Sequence, residues 1–424
     1  MIAESWQPLS VDALRVGQFI RLGHRWFEHP FLMNRFRISS ENEIAIIRNA
    51  QLTKLYIDVA RSTPVSVPQA AGTEPPRTPD DVESVATQMQ SRKTEHAERV
   101  RHRHQELTRT RELYQGTAEQ CAAAFEQLAR GDAGAFAALS ALSETVVSVA
   151  TRAQSPLTFA AIAAPGEGLR RRSCQALDAA AIAAAVGRRL ALPPPDMTTL
   201  TLAALVHAAG IEQLPAALQD ESAVAAHEDR LGFQDYPLLG ADQLRRCGDF
   251  PVEILQIVRQ HRERLDGSGF PEGASGEAIH AYARIVGAIH EFQVLSCRAQ
   301  SALPAAALAH LYRNLRGAYG PAAVDNVIAA LTVYPPGSYL TLSDGSVARV
   351  MQVSEHARLR PTVCLFDDTV TPTEAQIVDL NDTQEIAVAG VLDPGKLTSD
   401  MRAFFGSGWP GLAFSGHAPE PARP

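Results

Sequence analysis

Cysteine is scarce in this sequence, and so are aromatic residues and basic charge. The five cysteines among 424 residues are odd in number and far apart, and no two of them form a CxxC pair. This spacing excludes a disulfide framework and a thiolate zinc site. Aromatic residues contribute 6% of the chain, and the formal net charge is -8. We therefore expect no non-specific binding to nucleic acid, which requires an excess of basic residues.

Long apolar runs are missing as well. No stretch approaches the ~20 apolar residues that cross a bilayer. The first residues also lack the basic region and apolar stretch of a secretory signal. We therefore expect a soluble, cytoplasmic protein without a membrane span. With 46% apolar and 20% charged residues, the chain has the composition of a globular protein of two or three domains. Its abundant alanine favours helices.

The pattern of apolar residues divides the first third of the chain into segments. Strand-like alternation at Gln18–Leu22 and Phe36–Ile38 precedes a helix predicted for Glu41–Asn49, with Ser40 as its N-cap. Five prolines between positions 62 and 80 mark a linker. The charged run that follows, Lys93–His104, interleaves acidic residues, which favours a solvated helix face over a nucleic-acid patch.

The rest of the chain changes from helical to strand periodicity. Alanine-rich helices separated by turns containing Pro or Gly fill residues 133–334. After that block the apolar period becomes two, and the turn Ser343–Ser346 predicts a hairpin. We therefore expect a small N-terminal α+β domain (1–61), a linker (62–80), a helical connector (81–132), a helical domain (133–334), a β-rich segment (335–400) and a tail (401–424).

Five segments carry motifs that follow one another in the order of a known family. Arg259–Pro271 looks like the loop that gives HD-GYP proteins their name, with Phe270 in place of the tyrosine. Leu202–Pro215 resembles the family's HD helix and the turn after it, and Tyr334–Ser346 resembles the β segment that often follows. Similarity to the small domain that commonly precedes HD-GYP domains lies in Val11–Gly17, Trp26–Phe31 and Tyr56–Asp58.

The chain is thus identified as a member of the HD-GYP phosphohydrolase family. This resemblance implies a mainly α fold, with an HD-type helical bundle, a small N-terminal α+β domain and a short C-terminal β segment. It also implies descent from cyclic di-GMP phosphodiesterases. In such enzymes two or three Fe or Mn ions bind the phosphate oxygens and supply a hydroxide for in-line attack.

Most of the metal-binding positions that the resemblance implies are substituted here. Only His207 and His261 match the family unchanged. The bridging carboxylate of the HD pair is replaced by Ala208, and the later aspartate by His290. The remaining family positions, three histidines and one lysine, hold Gln175, Ile211, Tyr236 and Arg262.

Without the bridging carboxylate, we expect that the family's metal centre does not form and that no cofactor is bound. A carboxylate offsets the charge of neighbouring cations. Arg262 is always charged and repels a cation if it points inward. One alternative is that His207, His261 and His290 hold a single Fe, Mn or Zn ion, since three imidazoles and a water form a known zinc arrangement. The other is that these histidines are hydrogen-bonded core residues.

The glycine-rich loop keeps more of the family's residues than the metal site does. One interpretation is that it only shapes the fold, because its glycines supply positive φ. The other is that it contacts cyclic di-GMP or a partner such as a diguanylate cyclase domain. In that case Arg262, Arg264 and Arg284 pair with phosphates and Phe270 stacks on guanine. The loop residues that match the family are Glu263, Arg264, Asp266, Gly267, Ser268, Gly269 and Pro271.

Three functions fit these residues. The first is a non-catalytic cyclic di-GMP signalling protein that binds a nucleotide or a partner protein, and the ligand losses favour it. The second is a metallophosphodiesterase with an altered site that hydrolyses cyclic di-GMP to pGpG or GMP. The third is a purely structural interaction module whose N-terminal domain and charged helix carry the function.

Overall fold

The fold is mainly helical, with a small sheet at each end, and this confirms the predicted fold class. The structure is a computed structural model that describes residues 6–63, 79–152, 168–219, 230–297, 304–353, 357–383 and 386–406. Residues 64–78 of the predicted linker and 407–424 of the predicted tail lie outside these ranges. The predicted domain boundaries remain a proposal.

The N-terminal unit is a four-stranded antiparallel sheet with one helix. Its strands are hydrogen-bonded in the order β1-β4-β2-β3. The helix begins after Ser40, whose Oγ accepts a hydrogen bond from the Glu43 amide at 3.4 Å, as predicted. Sequence reasoning missed β1, which contains Pro8. The elements are β1 Trp6–Leu9, β2 Phe19–Leu22, β3 Arg35–Arg37, α1 Glu41–Asn49 and β4 Leu55–Asp58.

A 52-residue helix, α2 (Pro79–Arg130), links the two halves of the molecule. Its buried residues recur every seven positions, as in a helix with one continuous packed face. Lys93, Val100, Tyr114, Cys121 and Leu128 follow this spacing, and each is at most 4% exposed. The last three belong to the core of the helical bundle. The second half of the predicted connector is therefore an integral part of the bundle.

In the described residues ten further helices complete the bundle, and the alanine-rich α4 (Gly168–Arg189) lies among them. Its alanines present little bulk, so neighbouring helices approach closely, and α2, α3, α5, α9 and α12 all contact α4. The helices are α3 Gly134–Arg152, α4 Gly168–Arg189, α5 Pro194–Val206, α6 Arg230–Phe233, α7 Tyr236–Arg246, α8 Val252–Gln260, α9 Ala281–Cys297, α10 Pro304–His310, α11 Arg316–Tyr319 and α12 Pro321–Leu331.

Two helix ends position histidines. Helix α5 ends at Val206 and α8 at Gln260, so that His207 and His261 are C-cap residues. A π-helical turn, Leu311–Leu315, lies between α10 and α11.

One described helix, α3, is long and apolar enough to cross a membrane by length and composition. Core helices of globular proteins pass the same test. Leu139, Leu142 and Val146 of α3 lie in the bundle core, and the helix packs on α2, α4 and α5. Its apolar side chains are thus used in packing the bundle.

The C-terminal unit is a five-stranded antiparallel sheet closed by a helix. The predicted hairpin joins β5 to β6, and Gly345 supplies the positive φ of +80° at its turn. The sheet order is β8-β7-β6-β5-β9. The first residues of the predicted tail belong to a helix that ends at Gly406, whose Phe404 and Phe405 pack onto the sheet. The elements are β5 Tyr339–Leu342, β6 Val347–Gln352, β7 Thr362–Leu365, β8 Ile377–Asp379, β9 Val388–Leu392 and α13 Ser399–Gly406.

Candidate functional site

The three histidines predicted from the sequence meet at the centre of the bundle. His207 caps the C-terminus of α5, His261 caps that of α8, and His290 lies in α9. All three are buried, with exposures of 2%, 0% and 5%. Every residue of α5 from Leu200 to Val206 is buried, so the second half of this helix lies inside the bundle. The fold thus brings together side chains that are 83 residues apart.

Hydrogen bonds fix the protonation of two of these rings. Nδ1 of His207 lies 2.7 Å from the Ala204 carbonyl oxygen, and Nδ1 of His261 lies 2.6 Å from that of Val258. A carbonyl oxygen only accepts, so both Nδ1 atoms carry hydrogen and both Nε2 atoms are acceptors in the neutral rings. Burial and the neighbouring histidines hold the pKa of His261 well below its usual range.

Protein groups donate to the two remaining acceptors. The Tyr236 hydroxyl lies 2.7 Å from His261 Nε2, and His290 Nδ1 lies 2.9 Å from His207 Nε2. The phenol and the His290 ring are the donors, because neither Nε2 carries a proton. Tyr236 itself is fully buried. The four side chains therefore form two hydrogen-bonded pairs inside the bundle, as expected of hydrogen-bonded core residues.

The donor set does not fit the two-metal or three-metal centre that the resemblance implies. In the part of the chain that the structure describes, the only group of metal-ligating side chains is the set His207, His261 and His290, whose ligand atoms lie within 4.8 Å of one another. No carboxylate belongs to it, and a bridged pair of cations needs one to offset their charge. The set suits at most one ion.

Apolar packing occupies the substituted ligand positions. Ile211 and Tyr236 belong to a hydrophobic cluster with Phe233, and Ala208 and Phe270 pack against it. The cluster lies beside the histidines, and the Tyr236 and His261 ring centroids are 5.4 Å apart. Gln175 is half-buried, and its carbonyl oxygen accepts a hydrogen bond from the side-chain amide of Gln293. A polar metal site has thus become hydrophobic core on one side.

Arg262 does not extend toward the histidines as a free cation. Its Nη2 lies 3.6 Å from Glu291 Oε1, and its guanidinium lies 5.1 Å from the Phe270 ring centre. Arg264 approaches the same Glu291 oxygen at 3.6 Å, and the Tyr319 hydroxyl donates to it at 3.2 Å. The expected repulsion of a cation by Arg262 is therefore offset by Glu291.

These contacts also change the predicted roles in ligand binding. Arg262 is only 8% exposed, and it covers one face of Phe270, which is then closed to a stacking base. Arg284 lies on α9 two turns before Glu291, about 10 Å along the helix axis. The structure therefore brings together Arg262 and Arg264, and leaves Arg264 as the half-exposed cation of the loop.

The loop after His261 is held by its own backbone. Glu263 is buried, and its Oε1 accepts a bond from the Glu272 amide at 2.7 Å; burial raises the pKa of its carboxyl group. A side chain at Gly269 would overlap the backbone of residues 262–264, and Gly267 has a φ of +77°. Asp266 accepts from the Ser268 amide at 2.9 Å, and both side chains are exposed. Pro271 follows in the same turn.

Sequence reasoning missed Glu291 and Tyr319. The only signal for Glu291 is a charged residue in the run from Ile285 to Phe292, which is otherwise apolar apart from His290. Tyr319 carries no such signal, because its partner lies 28 residues away.

Three family models match the chain one after another. Residues 7–139 match "Domain of unknown function (DUF3391)", residues 156–322 match "HD domain", and residues 339–400 match "KOW domain associated with HD domain". The first match runs through α2 and the start of α3, so the long helix is part of that domain's conserved extent. The matches and the fold define a three-part HD-domain protein.

Similarity to known proteins indicates which kind of HD-domain protein this is. The chain is 22% identical to the cyclic di-GMP phosphodiesterase PA4108 of Pseudomonas aeruginosa over 88% of each protein. It is 32% identical to the cyclic di-GMP phosphodiesterase response regulator RpfG of Xanthomonas campestris over 35% of this chain and 40% of that protein. Among solved structures, Bd1817, a HDG"Y"P protein from Bdellovibrio bacteriovorus, matches with a TM-score of 0.44 and 14% identity over 76% of this chain and 98% of that one. The chain belongs to the HD-GYP family.

Proposed function

We propose that this protein is a non-catalytic member of the cyclic di-GMP signalling machinery, which acts by binding a nucleotide or a partner protein. The observation that carries the proposal is the packing of Ile211, Phe233 and Tyr236 where the family's further metal ligands lie. Hydrolysis of a phosphodiester by the family's route needs metal-bound hydroxide. In this structure both His207 Nε2 and His261 Nε2 are engaged by hydrogen bonds to His290 and Tyr236 rather than held open for an ion.

The names of the relatives are the reason for proposing cyclic di-GMP as the nucleotide. PA4108, which aligns over 88% of this chain, is named a cyclic di-GMP phosphodiesterase. Without metal ions, the contacts to a phosphate must come from side chains and backbone amides alone. Phosphate recognition then depends on arginine, whose planar guanidinium forms paired hydrogen bonds with phosphate oxygens.

The loop after His261 is the surface best suited to this contact. Arg264 is half-exposed, and Asp266 and Ser268 are exposed beside it. Glu291 holds Arg264 from the buried side at 3.6 Å, which limits the positions of the guanidinium. The same surface suits a protein partner such as a diguanylate cyclase domain, because the loop backbone is fixed.

A phosphodiesterase is the second candidate, and the three imidazoles favour it. Their ligand atoms lie within 4.8 Å of one another, and carbonyl oxygens orient two of the rings as in many metal sites. His207, His261 and His290 would hold one ion, which would supply a Lewis acid and an activated water. Tyr236 would first have to release His261 Nε2.

Calorimetric titration with cyclic di-GMP, together with a hydrolysis assay, tests the proposal. Binding without turnover supports it, and Arg264→Ala should then weaken binding on the order of tenfold or more, as the loss of a charged hydrogen bond does. Arg245→Ala is the control, because Arg245 is an exposed arginine on α7 paired only with its own helix. Turnover by the wild-type protein would contradict a non-catalytic role. Absence of binding would leave a protein partner as the ligand.

A further inference from the structure

One of the buried residues spaced by seven positions along α2 is a lysine, Lys93, whereas the others named above are uncharged. Lys93 is 3% exposed. Its ammonium group donates to the Phe31 carbonyl oxygen and lies 4.9 Å from the centre of the Trp26 ring. No carboxylate in the described residues pairs with it. A buried cation held only by a carbonyl oxygen and a π-face is costly to keep charged.

Two imidazoles share this junction, the buried His29 and the half-buried His96. Gln376 donates from Nε2 to the Leu32 carbonyl oxygen at 2.6 Å, which fixes the orientation of its amide. The same Nε2 lies 3.0 Å from His96 Nε2, so this imidazole nitrogen is the acceptor. A proton on it would place two donors against each other.

His29 is equally intolerant of a proton. Asn34 donates from Nδ2 to the His24 carbonyl oxygen and to Asp367, so its Oδ1 is the acceptor and His29 Nε2 is the donor at 2.7 Å. The other nitrogen, His29 Nδ1, is buried without a hydrogen-bond partner. Protonation there would create a buried cation close to the Lys93 ammonium.

These groups lie where three parts of the molecule meet. The N-terminal domain contributes Trp26, whose Nε1 donates to the Glu374 carbonyl oxygen of the C-terminal unit at 2.8 Å. Helix α2 contributes His104, which bonds the Ala375 carbonyl oxygen at 2.8 Å. Further ionisable groups surround the junction. Arg103 pairs with Asp379 at 3.3 Å, and Glu374 caps its own turn. His24 lies near His29, and Arg99 lies near His96.

We propose that this junction is an acid-sensitive latch, which holds the N-terminal domain and α2 on the C-terminal sheet and opens when its buried basic groups take up protons. The inference is independent of the proposed function. Opening would release the first half of α2, while its second half stays anchored in the bundle that holds the candidate site. The latch would therefore set how the N-terminal domain is coupled to that bundle.

The direction of the pH dependence follows from the docked groups. Burial, aided by Lys93, lowers the pKa of His29 and of His96 from 6.5 to about 4. The open state then binds more protons than the docked state below pH 6.5, so docking is lost as the pH falls toward 4. Burial lowers the pKa of Lys93 from 10.5 to about 7. Docking therefore also strengthens as the pH rises from 7 toward 10.5.

The test is acrylamide quenching of Trp26 fluorescence in full-length protein carrying Trp6→Phe and Trp409→Phe, between pH 8.5 and 4.5, with far-UV circular dichroism recorded in parallel. Quenching should rise in acid while the helical signal stays constant. Lys93→Met should reduce quenching at pH 7 and shift the transition to lower pH. His29→Gln with His96→Gln should weaken the acid transition, since glutamine preserves both hydrogen bonds; burial also lowers the pKa of His104, which accounts for the remainder.

The matched control is His102→Gln, on the exposed face of α2, which should leave the transition where it is. Protection of Trp26 throughout the pH range would overturn the latch. So would an equal shift in the control, or a loss of helical signal at the same pH as the rise in quenching. Lys93→Met keeps the proposal testable if the double glutamine variant does not fold.

Discussion

Replacement of Glu291 by glutamine should destabilise the helical bundle strongly. The change preserves shape but removes the charge that faces Arg262 and Arg264, each 3.6 Å away. Loss of one partner of a buried ion pair costs roughly 3–5 kcal/mol, because the other charge is left uncompensated. Arg264 is a third exposed, so water solvates its guanidinium when the Glu291 charge is removed. Its contribution to the loss of stability is therefore small. We therefore expect a loss of about 3 kcal/mol, almost all of it from Arg262.

Urea unfolding, followed by circular dichroism, measures this loss in a double-mutant cycle. Arg262→Met alone should also destabilise, since Glu291 then keeps Arg264 as its charged partner and that guanidinium is a third exposed. The double variant Arg262→Met with Glu291→Gln should be more stable than the sum of the two losses implies, by about 2 kcal/mol. Losses that add within about 0.5 kcal/mol would refute the reasoning, because they would show that the two groups do not interact.

Three further substitutions test the packing around the site. Gly210→Ala should cost about 3 kcal/mol, because a side chain there would overlap the Tyr236 carbonyl oxygen; a smaller loss in urea unfolding than 1 kcal/mol would contradict this. Gly116→Ala, where nothing lies within 4 Å, should instead stabilise α2 by about 0.5–1 kcal/mol, and destabilisation in the same assay would argue against it. Tyr114→Phe removes the donor that reaches Asp178 Oδ1 at 3.1 Å and should cost about 1–3 kcal/mol, visible as a lower melting temperature; an unchanged value would mean that water replaces the phenol.

Local signals predicted most of the elements. Ser40 identified the start of α1, and the turn around Gly345 identified the β5–β6 hairpin, because capping and turn preferences depend on neighbouring residues only. Strand β1 was missed because Pro8 argues against a strand, although an edge strand tolerates it. Strand β9 was missed because its pairing partner β5 lies far away in sequence.

The candidate site was predictable in its members and not in their contacts. Motif order placed His207, His261 and His290 at one site, and the structure brings them together. Nothing in the sequence showed that Arg262 would turn to Glu291, since the direction of a side chain depends on tertiary packing. The junction around Lys93 was equally hidden, because its charged run has the composition of a solvated helix face.

Metal content is the most direct test of the claim that the phosphohydrolase centre is lost. Mass spectrometry of full-length protein expressed with Fe, Mn and Zn supplied should give near-zero metal per chain, and the same value for His207→Ala. One or more ions held tightly by the wild-type protein, and lost in His207→Ala, would contradict the account and favour the single-ion phosphodiesterase.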